Sequence, residues 1–328
     1  MFKFVLKRLL WMIPTILGVV LIIFCILELM PGDPALNALG TNFTEETYQQ
    51  KREEMGLNDP FLVRYAKYLY DFFTKFDLGN SYTNLRPVGT QIKERLPTTM
   101  KLGIYGSLIT LIVGIFVGII SAVKQYSIID YVSTVLATFF ASVPGFWLAL
   151  MGIVLFSQKL RILPASGLDT WKHWIMPVIC LGITPISIVV RMTRSSMLDV
   201  IRQDYIRTAR AKGVAERSVV YKHALRNALI PVITIIGGQM GTIFGGSAII
   251  ETIFSIPGMG IMMLNGINGR DYPVIAGTVL VLSLAVCIIN LLVDIAYGFA
   301  DPRIKAQYVS VKKDKKEKPA AAKAEEAA

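Results

Sequence analysis

DVIRQDYIRTARAKGVAERSVVYKHALRNALIP, residues Asp199–Pro231, is basic and helix-patterned, yet it stands between the uncharged apolar runs Trp174–Val190 and Ala228–Ile250. The runs suit a bilayer, and the segment between them has to stay in water. It is too long and too periodic for a simple turn. Working outward, four further apolar runs lie near Leu9–Met30, Leu102–Val123, Tyr131–Phe156 and Val274–Tyr297. Each is close to the roughly 20 helical residues that cross a hydrocarbon layer. Of the 328 residues, 53% are hydrophobic and 17% charged, which departs strongly from a soluble domain. A charge at a span centre costs about 2.5–3.5 kcal/mol, and the four middle runs contain no Asp, Glu, Lys or Arg. The expectation is an all-α polytopic membrane protein with six transmembrane helices.

Lys3, Lys7 and Arg8 precede the first run, as in a secretory leader. The run exceeds the roughly 7–15 residues of a leader core and no small-x-small site follows before Pro31, so it reads as a retained span. Cys25, Cys180 and Cys287 all fall inside predicted spans and read as small apolar packing residues. With the amino terminus inside, the inner segments hold 21 Lys and Arg, against 4 in the two short outer loops. The long loop from Pro31 to Lys101 is exempt, because loops beyond about 60 residues barely follow the charge rule. Both termini are therefore expected in the cytoplasm. The net charge of +11 is explained by topology, and a nucleic-acid partner is not called for.

The expected organisation is a cytoplasmic start and first helix over 1–30 and an extracytoplasmic loop over 31–99. A five-helix core with a cytoplasmic connector at 191–227 fills 100–298, and a tail occupies 299–328. Beyond Tyr308 the tail is rich in Lys, Glu and Ala and reads as disordered. In the outer loop, Leu62, Tyr65, Leu69, Phe72 and Phe76 form one helical stripe. Such a helix either lies in the membrane interface or receives an extracytoplasmic partner. Gly237, Gly241 and Gly245, and likewise Gly114 and Gly118, have the spacing at which two helix backbones approach closely. The face of the first three, with Met240, either packs a helix or lines a passage. Met259 and Met262 are further candidates for that passage. Glu28 and Asp294, near span ends, read as interfacial or capping acids.

Within the connector, Met197, Ile201, Tyr205 and Ala209 recur every fourth residue, with Arg194, Arg202, Arg207, Arg210 and Lys212 around them. Gly213 suits a helix stop, because a residue without Cβ tolerates the left-handed conformation. A second helix is expected over Val214–Asn227, with Pro231 opening the next span. Helix, break and helix make a rigid elbow. Charge placement alone does not explain that pattern.

YIRTARAKG followed by HALRNALIP resembles the cytoplasmic loop of ABC-transporter permeases. The whole chain resembles the first permease subunit of the dipeptide, oligopeptide and nickel importers. The resembling stretches are PGDPA (Pro31–Ala35), DLGNSY (Asp77–Tyr82), RPVGTQIKERLPTTMKL (Arg86–Leu102), the connector, ETIFSIPGMG (Glu251–Gly260) and DPRI (Asp301–Ile304). In the general loop pattern, Glu-Ala-Ala stands where this chain has Arg207-Thr208-Ala209, and a proline stands at position 226, which here is Arg. Peptide-type permeases are similar to this variant, and any contact made by the missing Glu is unsupported.

The resemblance implies the type I importer permease fold in a bacterial plasma membrane and an import cargo of peptides, with nickel chelates or haem as alternatives. It implies a homologous second permease, two ATPase subunits and an extracytoplasmic solute-binding protein as partners. It further implies that Tyr205, Thr208, Ala209, Arg210, Ala211, Lys212, Gly213, Val214, Ala215 and Glu216 meet an ATPase. The chain lacks a GxxxxGK[ST] loop, so ATP and its magnesium are expected on the ATPases, with no cofactor on this chain. An ion-driven transporter would show mid-membrane ionisable residues and a repeat, and neither is evident. A membrane enzyme would need a catalytic constellation, yet His173 and His223 fall in different predicted compartments.

Overall fold

The computed structural model describes residues 2–40 and 43–300. The tail beyond residue 300, including DPRI, lies outside the described residues. Helix α1 (Phe2–Leu29) opens the chain, and three short helices follow: α2 (Pro34–Leu39), α3 (Glu45–Glu54) and α4 (Phe61–Lys75). A turn closed by the Asn80–Pro87 bridge leads into α5 (Val88–Val123). Next come α6 (Ile128–Ser142) and α7 (Gly145–Gly152), the latter running on as a π-helical stretch to Lys159. Then follow α8 (Lys172–Ile201), α9 (Asp204–Ala211) and α10 (Glu216–Ile253). The chain ends its described part with α11 (Met259–Gly269) and α12 (Tyr272–Ala300).

Among the described residues, five helices, in α1, α5, α8, α10 and α12, are long and apolar enough to cross a membrane; the α6–α7 pair makes a sixth span if counted as one. That pair departs from the straight helix expected over Tyr131–Phe156, because it bends by 99°. The cause is Pro144. It clashes with a helical residue before it, and Val143 accordingly takes extended angles (φ −87°, ψ 127°). The spans alternate in direction, so one end of the bundle gathers the α5–α6 turn and α9. We call it the elbow end. The other, the crown, gathers α2–α4, the turn after α4, and α11.

Helices α5 and α8 form the tightest pair. A Cβ on Gly114 would lie 2.6 Å from Val189 Cγ1, and one on Gly118 would lie 2.5 Å from Thr193 Cβ. Thr110 Oγ1 donates across this contact to the Gly182 carbonyl at 2.8 Å. Close backbone approach stands in for the hydrophobic drive that lipid removes. The Gly237 face behaves differently. Gly237 packs on Val293 of α12, while a Cβ on Gly241 or Gly245 would meet nothing within 4 Å. The three glycines therefore do not share one packed contact.

Helix α4 corrects its expected stripe. Tyr65, Tyr68, Leu69 and Phe72 pack with Ile16, Val20 and Leu280, whereas Leu62 is 69% exposed and Phe76, at a left-handed φ of 52°, is 82% exposed. The middle of the helix rests on α1 and α12, with the Phe24 ring edge-to-face against Tyr65 at 5.7 Å and tilted against Tyr68 at 5.3 Å.

Candidate functional site

At the elbow, α8 ends at Ile201 and Gln203 turns extended (ψ 149°), so α9 begins in a new register. The expected stripe through Met197, Ile201, Tyr205 and Ala209 is broken there. Ile206 takes the inward place and is fully buried, while Tyr205 is 43% exposed and hydrogen-bonded through its hydroxyl to Asn227 Nδ2 at 2.7 Å. Ile206 packs with Ile119 and Ala122 of α5, Met197 of α8, and Val219, Val220, Ala224 and Ala228 of α10. One apolar knob thus anchors α9 to three spans.

The break at Gly213 is as expected. Its φ of +76° is left-handed, Gly213 N–H donates to the Arg210 carbonyl at 2.9 Å, and Val214 N–H donates to that of Ala209 at 3.2 Å. These two bonds are the pair by which a glycine stop satisfies the last helical carbonyls. Ala209 and Val214 turn toward the buried cluster. Thr208, Arg210, Ala211, Lys212, Ala215 and Glu216 stay exposed around the turn. Arg210 clamps Glu216 across it with two bonds of 2.7 and 3.0 Å.

The second arm differs from expectation. No separate helix spans Val214–Asn227. Instead α10 runs unbroken from Glu216 to Ile253 through a π-helical stretch at Val219–Ala224 and through Pro231. At about 1.5 Å per residue its 38 residues reach roughly 57 Å, from elbow to crown. Along α10, Pro231, Thr234, Gly238, Gly241, Gly245 and Ile249 are exposed and form one stripe of mostly small residues. Met240 is not on it; it accepts a hydrogen bond from Ser107 Oγ at 3.3 Å and packs near Val189. Met259 and Met262 are buried with Leu78, Val88 and Val274, so within this chain they line no passage.

Four buried or half-buried carboxylates escaped the sequence reading. Glu251, fully buried at the crown end of α10, accepts from Gly260 N–H at 2.7 Å, Ile261 N–H at 3.2 Å and Thr99 Oγ1 at 2.6 Å. It thereby caps α11, while Thr99 Oγ1 accepts from Met259 N–H at 2.8 Å. Gly260 lies against the Ala248 backbone, where a side chain would not fit. Asp271, 1% exposed, accepts from Ser81 Oγ, from Tyr82 N–H at 3.0 Å and from Thr83 Oγ1 at 2.9 Å, pinning the turn after α4 to the start of α12. Burial, with Asp271 adding to it, pushes the Tyr82 phenol up to about 12. Asp130, 3% exposed at the elbow end, holds Arg194 by two bonds of 2.7 Å and also accepts from Ser121 and Tyr126 N–H. Glu28 and Asp294 are ion-paired, to Arg64 and to Arg8.

Asp33 caps α2 through Ala35 N–H at 2.8 Å and is gripped by Tyr48 at 2.7 Å and by Arg52 of α3. Burial alone would raise its carboxyl, but the bonds from Tyr48 and Ala35 and the Arg52 charge together hold it below the usual value of 3.8. A carboxyl lowered on folding stabilises above its unfolded pKa, and that stabilisation is lost as pH falls through the folded one. Hydrogen exchange over residues 34–54 is expected to speed up, relative to intrinsic rates, as pH falls below 3.8. An Asp33→Asn variant should already be loose at neutral pH and show no such step. An acid step that persists in Asp33→Asn would reject the clasp.

Two profiles of the binding-protein-dependent transport system inner membrane component match this chain, its amino-terminal part at residues 1–103 and its main part at 114–306. The dipeptide transport system permease protein DppB of Alkalihalophilus pseudofirmus is 42% identical over 333 residues, covering 93% of this chain and 100% of that protein. DppB of Escherichia coli K12 is 38% identical over 337 residues, covering 93% and 99%. Among solved structures, the inward-facing MetNI methionine ABC transporter superposes with a TM-score of 0.55 at 19% identity, over 64% of this chain and 96% of that one. That likeness concerns the fold. The chain belongs to the family of binding-protein-dependent transport system inner membrane components, the membrane-spanning permeases of ABC importers.

Proposed function

We propose that this chain is the channel-forming half of an ATP-driven importer of di- or oligopeptides, paired with a homologous second permease and driven by two ATPases at the elbow. The elbow end then faces the cytoplasm, and the crown faces outward toward a solute-binding protein. ATP and magnesium belong to the ATPases. The peptide cargo is supported by the end-to-end likeness to dipeptide permeases.

The observation that carries the mechanism is the continuity of α10 from the exposed turn at Gly213 to the Glu251 cap. Anchored by Ile206 and stapled by Arg210–Glu216, the turn moves as one body with α10. Pressure from an ATPase dimer then displaces a rod whose far end holds α11. Two discrete arrangements of such a rod are what alternating access requires. The exposed small-residue stripe from Pro231 to Ile249 faces the second permease and the passage between them, where small residues leave room for both backbone contact and cargo. Arg202, Lys212 and Arg217 have no acidic partner among the described residues, and they suit acidic groups on the ATPase, giving orientation more than affinity.

Gly213→Val tests this reading. A β-branched residue in the left-handed region costs about 1–2 kcal/mol, and a Cβ there would meet nothing within 4 Å, so the strain is in the backbone and not a clash. The expected result is normal membrane insertion with at least a tenfold loss of ATP-dependent dipeptide import, about the factor that 1.4 kcal/mol supplies. Unchanged import and unchanged peptide-stimulated ATP hydrolysis would reject the lever.

A further inference from the structure

Where the end of α1, the α3–α4 loop, α4, the turn after it and the start of α12 converge, they line an open cavity of about 390 Å³ in the crown. That is the small end of the roughly 300–1,000 Å³ range of ligand pockets. Its floor is aromatic and aliphatic, with Phe24, Leu27 and Tyr68, and its rim is charged.

The charges on the rim are not all neutralised. Arg64 is paired with Glu28, Lys51 with Glu54, and Asp71 with Lys75. Two rim side chains have no hydrogen-bond or ion-pair partner among the described residues: Lys67, one turn along α4 from Arg64, and Asp59, in the α3–α4 loop. One unpaired cation, one unpaired anion and an apolar floor make a receptor for a small zwitterion that carries apolar groups.

We propose that this cavity binds the free termini of a short peptide on the extracytoplasmic side, its carboxylate at Lys67 and its ammonium at Asp59. The proposal rests on the peptide-importer reading above. It gives the permease a recognition step of its own, apart from that of the solute-binding protein. A phosphatidylethanolamine headgroup presents the same two charges, and the experiment separates it from a peptide.

The assembled transporter, in phosphatidylcholine nanodiscs and without the binding protein, is equilibrated with radiolabelled alanyl-phenylalanine or with its carboxyl-terminal amide. Saturable binding of the free dipeptide is expected, with the amide bound about fivefold more weakly, the factor for one partly screened charge contact. Lys67→Gln removes the charge of an exposed, unpartnered side chain, so the fold should be kept. It should weaken the free dipeptide by at least that factor and leave the amide unchanged, because the partner charge is already gone.

Equal loss of both ligands on Lys67→Gln would overturn the assignment. So would absence of binding by a transporter that imports the dipeptide once binding protein is added; the import reading would then stand and the cavity site would fall. Loss of dipeptide binding when phosphatidylethanolamine replaces phosphatidylcholine would overturn it in favour of a lipid site. A transporter that imports no peptide at all would overturn both readings.

Discussion

Glu251→Ala is expected to destabilise the protein by about 3–5 kcal/mol, because it leaves three buried donors without an acceptor at about 1–3 kcal/mol each, partly relieved by relaxation. The donors are Gly260 N–H, Ile261 N–H and Thr99 Oγ1. Loss of the cap also frees the start of α11 from α10, so dipeptide import should fall further than stability alone dictates. Glu251→Gln keeps an acceptor for the two amides but offers Thr99 a donor where it had an acceptor, and about 1–2 kcal/mol is expected. Thermal unfolding of the detergent-solubilised transporter, read beside import in vesicles, checks both. An Ala variant that melts with the wild type would mean that the cap does not hold the crown.

Arg194→Ala should cost about 3–5 kcal/mol, since it strands a carboxylate inside the elbow end. Asp130 would keep its bonds from Ser121 and Tyr126 N–H but lose both guanidinium bonds. Removing both partners should be milder than removing one, because no uncompensated charge then remains. Arg194→Ala combined with Asp130→Ala is therefore expected to recover a large part of the loss. If the double variant is the less stable of the two, the pair is not acting as a buried ion pair, and Asp130 holds the α5–α6 turn by its other bonds.

Much of the elbow was legible in the sequence. Gly213 announced its conformation, because an exposed left-handed position at a helix end selects glycine for a local reason. The register of α9 was not legible. Two residues, Arg202 and Gln203, leave the helix, and a four-residue repeat read straight through them chooses Tyr205 where Ile206 is buried. The continuity of α10 was hidden by the opposite effect. Pro231 and a polar stretch look like a boundary, yet the helix absorbs both once its inner face is packed on α5 and α8. The bend at Pro144 was masked by an unbroken apolar run around it.

The buried carboxylates were silent for a different reason. Asp130 meets Arg194, Glu251 meets Thr99, and Asp271 meets Ser81 across 64, 152 and 190 residues. Each acid sits just beyond the apolar window in which a charge would have drawn notice. PGDPA, DLGNSY and ETIFSIPGMG carried the family resemblance, and in the structure they are parts of these clasps: Asp33 gripped by Tyr48 and Arg52, Ser81 bound to Asp271, and Glu251 capping α11.

By itself the sequence determined the membrane class, the places of most spans and the glycine stop of the elbow, because hydropathy over some 20 residues and a single left-handed position are local quantities. Tertiary structure alone decided which residue anchors the elbow, that one helix joins it to the crown, and which acids are paired in the interior. Those depend on what a side chain meets from a distant part of the chain, and on the cost of leaving a buried polar group unmet.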